Sequence, residues 1–152
     1  MTRSILAAAP ARSASPLWLA APRTLSNDYA DFDFDGGGLE TGIEWVVGGD
    51  PTDGSDDAGL APTITNSDPN NFVFTYRRRD AANTDSNTTI RVEYGSSLAL
   101  NSWTTASHGV NGVIIDDSAV AAAGFRTVVV SIPKTLVPTG KLFGRLKVAV
   151  AP

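Results

Sequence analysis

The sequence predicts a mainly β protein, a jelly-roll-like β-sandwich preceded by an extended arm and a short loop–helix motif. Several segments from residue 71 onward alternate apolar and polar residues, and this period of two is typical of half-buried strands. Clusters of Gly, Pro, Asn, Asp and Ser separate these segments, as turns between short strands do. We therefore divide the chain into an arm (1–27), an acidic loop with a helix (28–51) and a sandwich (52–152).

Charge is distributed unevenly along the chain. Residues 1–27 carry three arginines and no acid, whereas residues 28–57 carry ten acids and no base. Residues 58–152 carry nine bases and six acids. The acidic block repels itself unless a cation neutralises it, and a solvated acidic linker is the alternative interpretation. The chain has no cysteine, which excludes disulfides, thiolate metal sites and cysteine nucleophiles.

The N-terminal arm contains two short apolar patches, at residues 5–9 and around Leu17, Trp18 and Leu19. Neither patch approaches the roughly 20 residues of a membrane span, and the first is short for a signal peptide. Three interpretations stay open: a degenerate signal, a disordered tail, and an arm that docks on this chain or on a neighbouring copy. We favour docking, because Trp18 between two leucines is costly to expose to water.

The acidic loop and helix come next. The loop begins with three alternating carboxylates, Asp31, Asp33 and Asp35. Alternation places side-chain oxygens on one side of a loop, and the three glycines that follow permit the sharp turn that a hard cation requires. Residues 39–47 carry apolar side chains at the spacing of one helix face, with Glu44 among them. A Gly-Gly pair at 48–49 marks the helix end.

The rest of the chain predicts short strands joined by turns. The predicted strands are 58–64 at a sheet edge, 71–77, 90–94, 110–115, 126–132 and 142–150. Residues 81–88 are predicted to form a polar loop, and residues 118–124 at most one or two helical turns. Trp103 is expected to cap the core. Five or more short strands separated by turn clusters are typical of a sandwich.

Two parts of the chain resemble known modules. Residues 33–45, Asp-Phe-Asp-Gly-Gly-Gly-Leu-Glu-Thr-Gly-Ile-Glu-Trp, resemble the dockerin-like or thrombospondin-type-3-like calcium loop D-x-D-x-D-G-L-x-N-x-x-E. The later motifs are similar to C-terminal β-sandwich modules of large secreted bacterial proteins: F-T-Y-R-R at 74–78, V-E-Y at 92–94 followed by Trp103, V-S-I-P at 130–133 and F-G-R-L-K-V at 143–148. The resemblance implies Ca²⁺ as a cofactor and an extracellular or cell-surface location.

The resemblance also implies a ligand set in the loop. Glu44 falls at the last loop position, which in this family is the bidentate acid. The implied metal-binding residues are Asp31, Asp33, Asp35, Leu39 through its carbonyl, Thr41 and Glu44. Gly37 and Thr41 replace the usual Asp and Asn, which weakens calcium binding towards the ~10⁻⁴–10⁻³ M range of extracellular modules. A register that begins at Asp31 and a loop without metal are the alternatives.

Other chemistries find little support. His108 is the only histidine, which excludes a His-rich zinc site, and we expect no enzyme. The basic cluster, defined as Arg77, Arg78 and Arg79, is too short for a nucleic-acid surface, and the net charge of −4 opposes one. Arg78 has the parity of a buried residue, so we expect it to pair with Asp80, Glu93 or a neighbour's acidic loop.

These observations predict a non-catalytic structural or assembly module, stabilised by calcium, that forms a homo-oligomer or polymer such as a filament or surface layer. The expected self-association residues lie in the arm and the basic cluster: Leu17, Trp18, Leu19, Arg77, Arg78 and Arg79. The alternative is a carbohydrate-binding or adhesion module that takes a surface glycan. That function needs exposed aromatic side chains, whereas we expect Trp45 and Trp103 to be committed to packing.

Overall fold

Two antiparallel sheets packed face to face form the protein, so the predicted β-sandwich is confirmed. The structure is a computed structural model that describes residues 30–137 and 140–151. The first sheet has the strand order β1-β2-β6-β5 and the second β4-β3-β7. The strands are β1 (Thr63–Thr65), β2 (Asn71–Arg79), β3 (Thr88–Gly95), β4 (Thr104–Thr105), β5 (Ile114–Ala122), β6 (Phe125–Pro133) and β7 (Phe143–Val150).

Short helices connect or cover the strands. They are α1 (Thr41–Val47), α2 (Asp57–Leu60), α3 (Asp80–Thr84) and a 3₁₀ turn (Lys134–Leu136). The predicted helix at 39–47 is α1, which ends at Gly48 with φ 91°, in the left-handed region that favours glycine. The arm residues Leu17, Trp18 and Leu19 lie outside the described residues, so the docking of the arm stays a prediction.

The core lies between the two sheets and under α1. Alternate residues of β2 face it, and Phe74 pairs with Val130 of β6, which is 1% exposed. Trp45, Val46 and Val47 of α1 join the same core, because the helix packs against β2 and β7. The period of two therefore predicted the buried face of the central strands correctly.

In the region 110–124, the strand predicted at 110–115 is confirmed only for its last two residues, and the helical turns predicted at 118–124 are wrong. Residues 110–113 form a tight turn, in which Asn111 (φ 53°) and Gly112 (φ 79°) both have left-handed backbone and the Val113 amide donates to the Val110 carbonyl at 3.0 Å. An Asn-Gly pair in this geometry makes a hairpin-type turn, so the strand begins only at Ile114. The segment 118–124, which was predicted to form at most one or two helical turns, is mostly strand because it pairs with β6. That pairing overrides the helix propensity of its alanines.

Smaller differences occur on either side of β2. Residues 57–60 are helical, and the predicted edge strand reduces to β1. The predicted polar loop 81–88 includes most of α3 and the start of β3. Trp103 is half-buried beneath Arg145, whose guanidinium carbon lies 4.1 Å from the ring centroid. It therefore packs on the ion pair between Arg145 and Glu93 (2.7 Å) rather than capping the core.

Candidate metal centre

The glycine-rich loop folds back on its own carboxylates. Asp33 accepts the amides of Gly36 and Gly38 at 2.8 and 3.0 Å, and Asp35 Oδ1 accepts the amide of Gly37 at 2.9 Å. Gly36 and Gly38 have φ values of 77° and 111°, which side chains other than glycine rarely adopt. The glycines therefore act as predicted, by allowing the turn that brings both aspartates inward.

Helix α1 is tied to the start of this loop. The amide and hydroxyl of Thr41 both donate to the carbonyl of Phe32, at 2.9 and 2.8 Å, and the Gly42 amide donates to the carbonyl of Ala30 at 2.9 Å. These contacts fix the rotation of the helix. Glu44 consequently lies on the inner face and is fully buried.

A second segment, residues 50–57, returns to the same place. Asp57 accepts the Leu39 amide through Oδ2 at 2.8 Å, and Asp56 accepts the Asp50 amide through Oδ2 at 3.2 Å. The backbones of Gly37 and Gly54 touch where the two segments meet, since a Cβ built on Gly37 would lie 2.5 Å from the Gly54 Cα. Only glycine fits at this crossing, which holds Asp57 against the glycine-rich loop.

Three carboxylates meet at this crossing, and Asp35 lies near enough for its charge to act on Glu44 and Asp57. Glu44, Asp56 and Asp57 each offer an oxygen within 4.8 Å of the others, and Glu44 and Asp57 are 0% and 2% exposed. Five oxygens are buried and accept no hydrogen bond from the described residues: Asp35 Oδ2, Glu44 Oε1 and Oε2, Asp56 Oδ1 and Asp57 Oδ1. No arginine or lysine of the described residues forms a salt bridge with any of the four. We call Asp35, Glu44, Asp56 and Asp57 the acidic centre.

Ionisation of the carboxyl groups in the acidic centre is unfavourable. Burial, followed by the charges of Asp35, Asp57, Asp56 and Asp33, raises the pKa of Glu44 from 4.5 to about 7. Burial also raises the pKa of Asp57, although the hydrogen bond from Leu39 acts in the opposite direction. Buried acid oxygens without donors are costly, so the centre needs either protons or a cation.

The residues present fit a metal ion. All the donors are oxygens, which hard cations prefer, and oxygens of Glu44, Asp56 and Asp57, from two separate parts of the chain, lie within 4.8 Å of one another. Hydrogen bonds already fix Asp35, Asp56 and Asp57 through their other oxygens, so the centre is oriented before any ion arrives. The acidic centre could therefore hold a metal ion.

The structure brings together only part of the predicted ligand set. Asp35 and Glu44 belong to the centre. Asp33 lies beside it with both oxygens bonded to loop amides, and Leu39 contributes its amide to Asp57. Thr41 bonds to Phe32 instead, and Asp31 is exposed and lies 3.4 Å from Lys147. These two residues hold the loop and helix in place without reaching the centre.

Asp56 and Asp57 were not among the predicted ligands. They belong to the run of ten acids, but the prediction placed them in a segment of turns. The available signal was the turn chemistry itself, because Pro51 and Gly54 reverse the chain soon after the helix ends. The acidic centre therefore combines Asp35 and Glu44, which the prediction named, with two acids from the returning segment.

The basic cluster makes contacts within the chain. Arg78 is buried and bonds to Asp117 at 2.8 Å, so the predicted pairing with Asp80 or Glu93 is wrong. Those two acids bind other arginines, Arg126 at 3.5 Å and Arg145 at 2.7 Å. The strand register explains this result. Arg78 of β2 faces inward beside Arg126 of β6, and β5, which pairs with the other edge of β6, carries Asp117 within reach of the Arg78 side chain. The role of the cluster in self-association stays a prediction.

Comparisons with known proteins add no relative. Neither protein families, curated proteins nor solved structures give a significant match to the chain. Within residues 30–137 and 140–151, no helix has the length and apolar character needed to cross a membrane.

His108 is exposed, and its Nδ1 accepts the Ile115 amide at 3.0 Å, so this histidine supports a turn.

Proposed function

We propose that the chain is a non-catalytic, extracellular structural module in which a calcium ion fixes the loop–helix segment to the sandwich. The observation that carries the proposal is the set of five buried carboxylate oxygens without donors. Removing ionised groups from water without partners costs several kcal/mol, and a bound cation supplies the missing partner. Calcium suits this set better than magnesium, because it accepts irregular geometry and several carboxylates at ~2.3–2.6 Å.

Calcium would act through the segments that its ligands belong to. Asp35 belongs to the glycine-rich loop, Glu44 to α1, and Asp56 and Asp57 to the returning segment. In the described residues the returning segment is linked to the start of the helix by the hydrogen bond from the Leu39 amide to Asp57. A cation shared by the three segments adds further links between them. At a concentration of ~100 times its Kd, binding stabilises the folded state by about 2.7 kcal/mol.

The test is thermal unfolding of the purified chain in chelator, in calcium and in magnesium. We expect calcium to raise the melting temperature more than magnesium does, and the variants D56N and D57N to lose most of that rise. The matched control is D53N, because Asp53 is an exposed acid in the same segment that bonds to Ser55 and stays outside the centre. Equal melting temperatures in calcium and chelator would contradict the proposal.

The aromatic residues do not favour the alternative of glycan binding. Trp45 is 8% exposed and belongs to the core, and Trp103 is covered by Arg145. The most exposed aromatic side chains of the described residues are Phe32 and Phe34, which lie in the acidic loop. A carbohydrate platform needs aromatic faces open to a sugar ring, so structural assembly remains the function that we propose.

A further inference from the structure

One end of the first sheet carries two stacked arginines on its outer face. Arg77 and Arg79 are two residues apart on β2, so both point away from the core. The guanidinium carbon of Arg77 lies 3.7 Å from the centroid of the Phe125 ring, and that of Arg79 lies 4.7 Å from Trp45 and 5.5 Å from Phe125. The aromatic rings hold both guanidinium groups in fixed positions. We call this pair the arginine face.

The arginine face has no anion within the described residues. The salt bridges among residues 30–137 and 140–151 use Arg78, Arg126, Arg145 and Lys147, and none of them uses Arg77 or Arg79. The Nε atoms of both are buried and lack a hydrogen-bond acceptor. Burial, and then the neighbouring charge of Arg77, lowers the pKa of Arg79. Two like charges that are partly desolvated, side by side and unpaired favour an incoming oxyanion.

A complementary surface lies next to the arginine face. The helix end at Gly48 packs so closely on Phe125 that a Cβ on Gly48 would come within 2.5 Å of the ring. The chain then enters the turn that carries Asp50 and Asp53, which are both exposed and form no salt bridge with the described residues. We call residues 50–53 the acidic turn. The two surfaces have opposite charge, and the Gly48 contact with Phe125 lies two residues before the acidic turn.

We propose that the arginine face of one copy of the chain binds the acidic turn of a second copy. Adjacent patches of opposite sign are self-complementary, because a two-fold rotation lays each patch over the opposite patch of the partner. This contact gives a closed dimer and excludes Arg78, which is occupied by Asp117. The inference rests on the proposed assembly function and names its contact residues.

The first experiment measures mass against concentration by sedimentation equilibrium, with calcium present throughout. We expect the parent chain to dimerise at low ionic strength and to dissociate at ~0.5 M salt, where exposed charge pairs are screened. The double variant R77Q/R79Q should weaken the dimer by about tenfold or more, since it removes both cations. R91Q is the matched control, because Arg91 is an exposed arginine of β3 with no salt bridge in the described residues, and it should dimerise as the parent does.

A charge exchange tests the partner surface directly. R77E/R79E and D50K/D53K should each be monomeric alone, because each repels its own kind. An equimolar mixture should form a heterodimer, since every contact then joins opposite charges. A parent that is monomeric at all concentrations, a parent dimer that survives high salt, or R77Q/R79Q that associates as the parent does would overturn the inference. Binding of free sulfate by a monomeric parent would also overturn it, because the oxyanion would then come from solution.

The same samples separate this inference from the calcium proposal. R77Q/R79Q should keep the rise in melting temperature that calcium gives the parent, because neither arginine contacts the acidic centre. A monomeric parent with an intact calcium response refutes the dimer alone. A dimeric parent with no calcium response refutes the calcium site alone. Circular dichroism in chelator checks that D50K/D53K is folded, because its added lysines lie close to the acidic centre.

Discussion

Replacing Glu44 by Gln should have opposite effects in chelator and in calcium. Glu44 is fully buried, its two oxygens accept no hydrogen bond from the described residues, and its pKa is raised to about 7. Gln has nearly the same shape, carries no charge, and can donate hydrogen bonds to the neighbouring carboxylates. The substitution therefore removes the repulsion and the bidentate metal ligand together.

The size of the effect without metal follows from the pKa of Glu44. In the unfolded chain this carboxyl titrates near 4.5, and in the folded chain near 7. Between these values the folded state holds the extra proton, so stability is highest below the unfolded pKa and falls as pH rises through the folded one. Above about pH 7 the ionised group costs about 3 kcal/mol, at about 1.4 kcal/mol per pH unit. E44Q removes this cost, which for a domain of this size raises the melting temperature by up to about 6–12 °C.

The assay is differential scanning calorimetry at about pH 8 and at about pH 5, each in chelator and in saturating calcium. In chelator at the higher pH, E44Q should melt above the parent, and this difference should shrink at the lower pH. In calcium the parent should gain about 2.7 kcal/mol at ~100 times its Kd, whereas E44Q should gain less than about 0.5 kcal/mol if the affinity falls ~100-fold. Glu40 precedes the same helix outside the centre, so E40Q is the control and should keep the calcium response.

Two results would refute this reasoning. If E44Q melts below the parent in chelator at the higher pH, the buried carboxylate is not the destabilising charge that the geometry indicates. If E44Q keeps the full calcium response while E40Q loses it, the metal lies nearer the start of the helix than the acidic centre does. Either result can be read from the four melting curves of each variant.

Three further perturbations test the structure. Raising the pH from about 5 to about 8 should lower the melting temperature of the parent in chelator, since the pKa values of Glu44 and Asp57 are both raised. The same change should enlarge the rise in melting temperature that calcium gives. A melting temperature in chelator that does not change with pH contradicts the buried acid cluster. G37A should abolish the calcium response in a titration followed by calorimetry, because its Cβ would meet the Asp57 carboxylate, whereas G59A, with open space around it, should not. V130A should lower the free energy of urea unfolding by about 2–3 kcal/mol, because Val130 is 1% exposed, and should leave the calcium response intact; a smaller loss means that this part of the core is loosely packed.

The sequence predicted the parts of the fold in which each strand has one buried and one exposed face. Phe72, Phe74 and Tyr76 alternate with half-buried residues, and that pattern alone orients β2. Strand β5 gives no such signal, because nearly all of its residues are exposed and, among the described strands, it pairs only with β6. Its strand conformation depends on backbone pairing in a hairpin with β6, the next strand in the chain, and its alanine-rich sequence does not indicate that pairing.

In the candidate metal centre, too, some residues could be predicted from the sequence and others could not. Asp35 and Glu44 could be predicted because a loop and the helix that follows it fix their spacing locally. Asp56 and Asp57 reach the centre only because the chain crosses itself at Gly37 and Gly54, which is a tertiary contact. Asp31 and Thr41 were assigned by position in the loop, yet ion pairing to Lys147 and bonding to Phe32 direct their side chains elsewhere.

The position of Glu44 determines whether loss of the metal destabilises only the loop–helix segment or the whole sandwich. Val46 and Val47 lie in the same helix, two and three residues after Glu44. Both are 0% exposed and belong to the core between the sheets. Rotating the helix to take the Glu44 carboxylate into water would also withdraw these side chains, at about 1.5–3 kcal/mol for each buried residue. The acidic centre therefore cannot relax independently of the sandwich. Calcium binding and global unfolding should appear as one cooperative transition, with a single calorimetric peak that shifts with metal concentration. A separate low-temperature peak that calcium alone removes would show that the loop–helix segment unfolds by itself.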